Sequence, residues 1–150
     1  MSAFVTAGAG FLLAVLWFDL MFDVQVLGQD ARELPEARLS SIAAYYARVT
    51  TAARPMNRLI AAVMLATLAA IVVELAAGGG VPSAAAWVSL ALAAAPIGLV
   101  AARTVPAAVR LGTRADAPER QSALARAIFR EHVFCLASIA TLIALQLRWS

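Results

Sequence analysis

Apolar positions dominate four stretches of the chain, at about 4–27, 57–77, 84–104 and 131–148, with polar residues gathered between them. A bilayer core about 30 Å thick needs roughly 20 mostly apolar residues at a helical rise of about 1.5 Å. The pattern therefore predicts an all-α polytopic membrane protein, a four-transmembrane-helix bundle forming a single domain over 1–150. Two aspartates interrupt the first stretch, and Glu74 lies near the end of the second. Gly78-Gly79-Gly80-Val81-Pro82-Ser83 is a short uncharged turn that joins antiparallel neighbours.

The connections carry patterns of their own. Leu39, Ile42, Ala43, Tyr46, Val49 and Ala53 recur at helical spacing, with Arg38, Ser41, Tyr45 and Arg48 on other faces. This predicts an amphipathic cytoplasmic helix before the second span, broken or kinked at Pro55. Asp116, Glu119 and Pro118 together read as a capped helix start ahead of the fourth span. Small residues four apart mark faces that let helix backbones approach: Ala62, Ala66 and Ala70; Ala94, Gly98 and Ala102; Ala140 and Ala144. They serve packing within one bundle or contact between copies, and a homo-oligomer is expected. Pro96 is the one internal break of the third span.

Composition sharpens the class. Of 150 residues, 63% are hydrophobic and 14% charged, against about 45–50% and 25% in soluble domains. An ordinary soluble enzyme, a disordered chain and a nucleic-acid-binding module are excluded. The net charge is +3 and every basic residue is Arg. All the arginines except Arg148 flank the two long connections, so the positive-inside rule expects those connections in the cytoplasm and both termini outside, in a bacterial-type inner membrane. Met1 to Gly10 lacks the basic start of a signal peptide, so the first span is expected to be retained. A single cysteine, Cys135, leaves no intrachain disulfide.

The chemistry lies in the polar residues that apolar runs carry at a cost. Asp19 and Asp23 are four apart and share a helix face; a carboxylate buried there costs a few kcal/mol unless it is met. The expected topology brings Asn57, Arg58, Arg103, Glu131 and His132 to the same end of the bundle. A cluster of Asp19, Asp23, Asn57, Arg58, Arg103, Glu131 and His132 is the candidate site. It admits Asp–Arg pairs that only lock helices, proton or ion handling, or the binding of a small molecule. One histidine without a ligand-spacing motif argues for no metal site, and no pattern specifies a cofactor. Trp17, Phe18, Phe22, Tyr45 and Tyr46 suit an interfacial aromatic belt at this end, with Trp87 and Trp149 at the other. Glu74 is expected to snorkel to water.

In order of features, the chain resembles the small four-helix membrane proteins grouped around anthrone oxygenase. The likeness rests on Trp17-Phe18-Asp19-Leu20-Met21-Phe22-Asp23, then Tyr45-Tyr46-Ala47-Arg48, Pro55-Met56-Asn57 and Arg130-Glu131-His132. It implies the fold and topology; some members of that group are associated with cofactor-independent oxidation of polycyclic aromatic substrates. Three functions stay open. One is a protein that binds or conducts an ion or small molecule, as an oligomer. Another is a membrane enzyme acting on a lipophilic, aromatic or quinone-like substrate, with His132 or Asp23 as proton acceptor. The third is a structural or accessory subunit. The partners expected are the lipid bilayer, further copies of the chain, and a small lipophilic ligand or an ion; nucleic acid is not among them.

Overall fold

The computed structural model describes residues 2–29, 31–78 and 82–148. Gly79, Gly80 and Val81 of the expected turn, and Trp149, lie outside them. The described chain is helical: α1 (Ser2–Asp23), α2 (Glu36–Ala47), α3 (Arg54–Ala77), α4 (Ser83–Leu99), α5 (Val105–Thr113) and α6 (Pro118–Gln146). A 3₁₀ turn, Val24–Val26, extends α1, and π turns at Arg48–Ala52 and Val100–Thr104 lead into α3 and α5.

Four helical runs are long and apolar enough to cross a membrane: Ser2–Val26, Pro55–Ala77, Ser83–Thr113 and Pro118–Gln146. The last two exceed the expected spans because apolar counting stops where arginines begin, whereas the helices continue past them. Around their outside stand exposed Phe4, Leu65, Val72, Trp87 and Phe134, side chains that suit a hydrocarbon solvent.

The long helices pack in a ring. Helix α1 lies against α3 and α6, and α4 lies against the same two. The α1–α6 seam follows from spacing. On α6, Gln121, Ala125, Ile128, His132, Cys135, Ile139, Leu142 and Gln146 are buried, alternating four and three apart in the heptad manner. On α1, Val5, Ala9, Leu12, Leu16, Leu20 and Asp23 form the answering stripe. Each seam thus carries a polar residue into an apolar interface. Gly8 permits a close α1–α3 approach, since a Cβ there would run into the Thr67 hydroxyl.

A second core sits at the arginine-rich end. Leu34, Leu39, Ile42, Tyr46, Leu111 and Ile128 are among its buried members, so α2 and α5 pack on each other and on the first turns of α6. Helix α2 starts after Pro35, with Glu36 in its first turn, where a carboxylate meets the positive helix end. The Arg114 guanidinium bonds the exposed Glu36 at 2.9 Å and holds that carboxyl below its ordinary value.

Arginine does structural work in this layer. Arg38 donates to the Gln25 carbonyl at 2.9 Å, at the C-terminal end of the first helical run. Arg126 donates to the carbonyls of Gln29, Ala31 and Arg32 at 3.2, 2.6 and 2.9 Å, and Ser122 accepts from the Leu34 amide. Arg126→Ala leaves three carbonyls to water and is expected to cost about 1–3 kcal/mol. Hydrogen exchange should then rise over residues 27–35 while α1 and α6 keep their protection; unchanged exchange would show that Arg126 does not hold the loop.

Several expectations need correction. Asp116 does not cap α6: the cap position is Ala117 with no side-chain bond, and Asp116 instead pairs with Arg110 at 2.7 Å. Glu74 does not snorkel. It is buried, and Gln146 donates to it at 3.4 Å and to Ser89 at 3.0 Å. Of the small-residue faces only Ala70 is buried; Ala62, Ala66, Ala94, Gly98, Ala102, Ala140 and Ala144 all face outward, so they do not serve packing within one chain.

Candidate functional site

The two aspartates take different positions because helix geometry separates them. Asp23 ends the buried stripe of α1 and is fully enclosed. Asp19, one turn back, sits beside the stripe with its side chain 17% exposed. Tyr46 and Tyr45, adjacent on α2, reach one each: Tyr46 Oη donates to Asp23 Oδ1 at 2.6 Å, and Tyr45 Oη to Asp19 Oδ1 at 2.6 Å. Burial, and after it the neighbouring carboxylates, pushes both phenols far above their ordinary value. Both hydroxyls therefore stay protonated and act as donors.

His132 completes the set from the α6 seam. Its Nδ1 lies 2.6 Å from Asp23 Oδ2. A carboxylate only accepts, so Nδ1 carries a proton, and in the neutral ring Nε2 is then the acceptor. Nε2 stands 4.0 Å from Asp19 Oδ2, beyond hydrogen-bond reach. Neither atom has another hydrogen-bond partner among the described residues. The result is a chain, Tyr46–Asp23–His132, that fixes the imidazole tautomer and leaves two acceptors facing each other.

These acceptors look into a cavity of about 910 Å³. Asp19, Tyr45, Tyr46 and His132 line its polar end, and Leu12, Ile60, Met64, Ile97 and Ile139 are part of its apolar wall. Asp23 is not in the wall; it stands behind His132. Phe22 stacks on Tyr45 with centroids 4.0 Å apart and planes 8° from parallel, and Tyr46 meets Tyr45 edge-on at 5.3 Å.

Both π turns line this cavity, through Val49 and Thr50 and through Val100, Ala101 and Thr104. Each lies just ahead of a proline, Pro55 or Pro106, whose missing N–H and bulky ring disfavour a regular α-turn. Thr50 and Thr51 hydroxyls bond the Tyr46 and Ala47 carbonyls, and the Asn57 amide reaches the Thr50 carbonyl at 3.4 Å. These bonds serve backbone oxygens around the first irregular turn.

The expected cluster is thus only partly assembled. Asp19, Asp23 and His132 meet, and Asn57 lines the same cavity. Glu131 accepts from Thr104 at 2.7 Å and pairs with Arg103 at 3.5 Å, tying the second π turn to α6 beside the site. Arg58 is exposed and makes no ion pair among the described residues. Among the described residues no arginine meets Asp19 or Asp23; tyrosine and histidine do. Tyr45, Tyr46 and Thr104 are the site residues that the sequence reading had not assigned to it. Among the described residues no group of three or more His, Cys, Asp and Glu side chains is placed to hold a metal ion.

What the fold and this site define is a membrane protein with an apolar cavity closed at one end by an Asp–His–Tyr network. Comparison with protein-family models, characterised proteins and solved structures finds no match to the chain.

Proposed function

We propose that the protein binds a lipophilic small molecule within the membrane and exchanges a proton with it at His132. One observation carries this reading: a largely apolar cavity of about 910 Å³ ends on a histidine whose far nitrogen is fixed by a buried carboxylate. The size falls in the range of small-molecule sites, about 300–1,000 Å³. An imidazole held through Nδ1 by a carboxylate presents Nε2 in the form that accepts a proton. Phe18, Phe22, Met56, Val105 and Val109 both line the cavity and stand exposed on the outer surface. Access is therefore sideways, from the hydrocarbon.

The arginine-rich layer is assigned to the cytoplasmic side of an inner membrane on the positive-inside rule. The outward small-residue faces favour association between copies as a second element of the same reading.

A neutral photoactivatable probe, a trifluoromethyl-diazirinyl benzyl alcohol, tests the cavity in lipid nanodiscs. Leu12, Cys135 and Ile139 are buried yet line it. They should be labelled, and naphthalen-2-ylmethanol should compete. Ala101→Trp, which fills the mouth, should abolish that labelling with helix content unchanged. Labelling confined to outward residues such as Leu65 and Phe134 would overturn the reading.

A further inference from the structure

We propose that the ligand's polar head is a protonated primary or secondary amine, so that the molecule is a lipophilic ammonium ion; this rests on the cavity being a ligand site, as argued above. Between Asp19 and His132 the polar end offers acceptors, with the Asn57 amide turned to the Thr50 carbonyl. Asp19 Oδ2 and His132 Nε2 stand 4.0 Å apart, and His132 lines the cavity while more than nine-tenths buried; its neutral ring, held through Nδ1, offers Nε2 as an acceptor. Both Tyr hydroxyls already donate their protons to the aspartates, so they too present lone pairs.

One nitrogen placed about 2.9 Å from each acceptor, an ordinary N–H···O or N–H···N length, fits between them. It needs two N–H bonds directed apart, as in an ammonium group. A quinone or ketone head brings only acceptors and leaves this pair unmet. A hydroxyl has one proton and can serve only one of the two.

Charge selects in the same direction. Among the described residues the lining includes Asp19 and no arginine. Arg103 lies outside it and is engaged by Glu131. A phosphate or carboxylate head would face Asp19, with Asp23 behind His132, without a fixed cation. The stacked Phe22–Tyr45 pair and Tyr46 give aromatic surface beside the same point, where a cation is attracted to ring faces. The apolar walls take the remainder of the molecule.

The test uses one aromatic body with four heads: naphthalen-2-ylmethylamine, its N,N,N-trimethylammonium derivative, the corresponding alcohol, and naphthalene-2-carboxylate. Each is titrated at pH 7 by calorimetry into nanodisc-held protein, with empty discs as blank. The amine should bind about tenfold or more tightly than the alcohol, because its hydrogen bonds are charge-assisted, and the carboxylate should bind least. The trimethylammonium ion, which has the charge but no N–H, should be weaker than the amine.

Asp19→Asn keeps an oxygen for Tyr45 and removes the charge. It should bring the amine down to the alcohol's level. An alcohol or carboxylate binding as tightly as the amine overturns the proposal while leaving the cavity a ligand site. So does a trimethylammonium ion equal to the amine, or an Asp19→Asn protein that folds and binds the amine normally. Binding by none of the four, with no labelling of Leu12, Cys135 or Ile139, removes the ligand site itself. The four-head series on the unaltered protein decides the matter even where the variant misfolds.

Discussion

Gly112→Ala is expected to lower the thermal midpoint in detergent and to break the cavity's polar end. A Cβ at Gly112 would lie 2.8 Å from the Ala47 backbone nitrogen and 2.9 Å from its Cα. These are backbone atoms of α2, so no rotamer change relieves the contact and the two helices must separate. Overpacking costs roughly 1–3 kcal/mol, and a rigid backbone contact belongs at the upper end. Alanine returns about 1 kcal/mol through helix propensity. A net loss of about 2 kcal/mol follows. Tyr46 immediately precedes Ala47, so the same displacement draws both tyrosines from their aspartates. Binding of the naphthalene probes should then fall more than stability alone explains. A variant as stable as the parent would show that α2 and α5 do not approach so closely.

The second large effect falls on Asp23, where two substitutions separate folding from function. Asp23→Ala leaves the buried Tyr46 hydroxyl and His132 Nδ1 without their acceptor, and removing one partner from a buried charged network costs about 3–5 kcal/mol. Asp23→Asn is milder, since its amide oxygen still accepts from Tyr46; the loss should be about 1–2 kcal/mol. Its NH₂ group, however, then faces Nδ1 and donates to it. The imidazole proton moves to Nε2, and the cavity meets a donor where it had an acceptor. His132 is the chain's only histidine, so ¹⁵N-histidine NMR reads the change directly. The parent should show protonated Nδ1 and bare Nε2, and Asp23→Asn the reverse, with amine binding lost. An unchanged tautomer would mean that Asp23 does not set it.

Much of this was legible in the residues. Four long apolar runs specify four long helices, because length and hydropathy are one-dimensional properties. Helix spacing also marked Asp19 and Asp23 as a pair needing partners, and it placed Leu39, Ile42, Ala43 and Tyr46 on one face of a separate helix, where all four are buried. The identity of the partners was not legible. Arginine is the usual expectation for a buried carboxylate, but Arg38 and Arg126 reach loop carbonyls, and Arg32, Arg103, Arg110 and Arg114 reach other acids. The shorter, stiffer tyrosines reach inward. Tyr45 and Tyr46 looked like interfacial aromatics because amphipathic rings suit both settings.

The four-three spacing from Gln121 to Gln146 was a signal that went unused: it carries His132 onto a seam that must be buried. Ser89 and Glu74 were hidden for another reason. Their partner Gln146 lies 57 and 72 residues away, and no local pattern joins them. The π turns are equally silent in sequence, since proline marks a disturbance without specifying which kind.

The distance along the chain between Asp23 and its partners bears on how the protein is made. Tyr46 follows Asp23 by 23 residues, but His132 follows by 109. A growing chain therefore carries this carboxylate through the insertion of two further helices before its last partner exists. In that interval the aspartate has water or one phenol to satisfy it, which favours a first helix held shallow at the membrane surface. Arrival of α6 supplies the imidazole and the apolar seam together, and only then does deep placement of α1 become favourable. Helix α1 is thus expected to settle after the described helices that follow it, and a ribosome-bound chain stopped before residue 132 should expose Asp23 to aqueous labelling reagents.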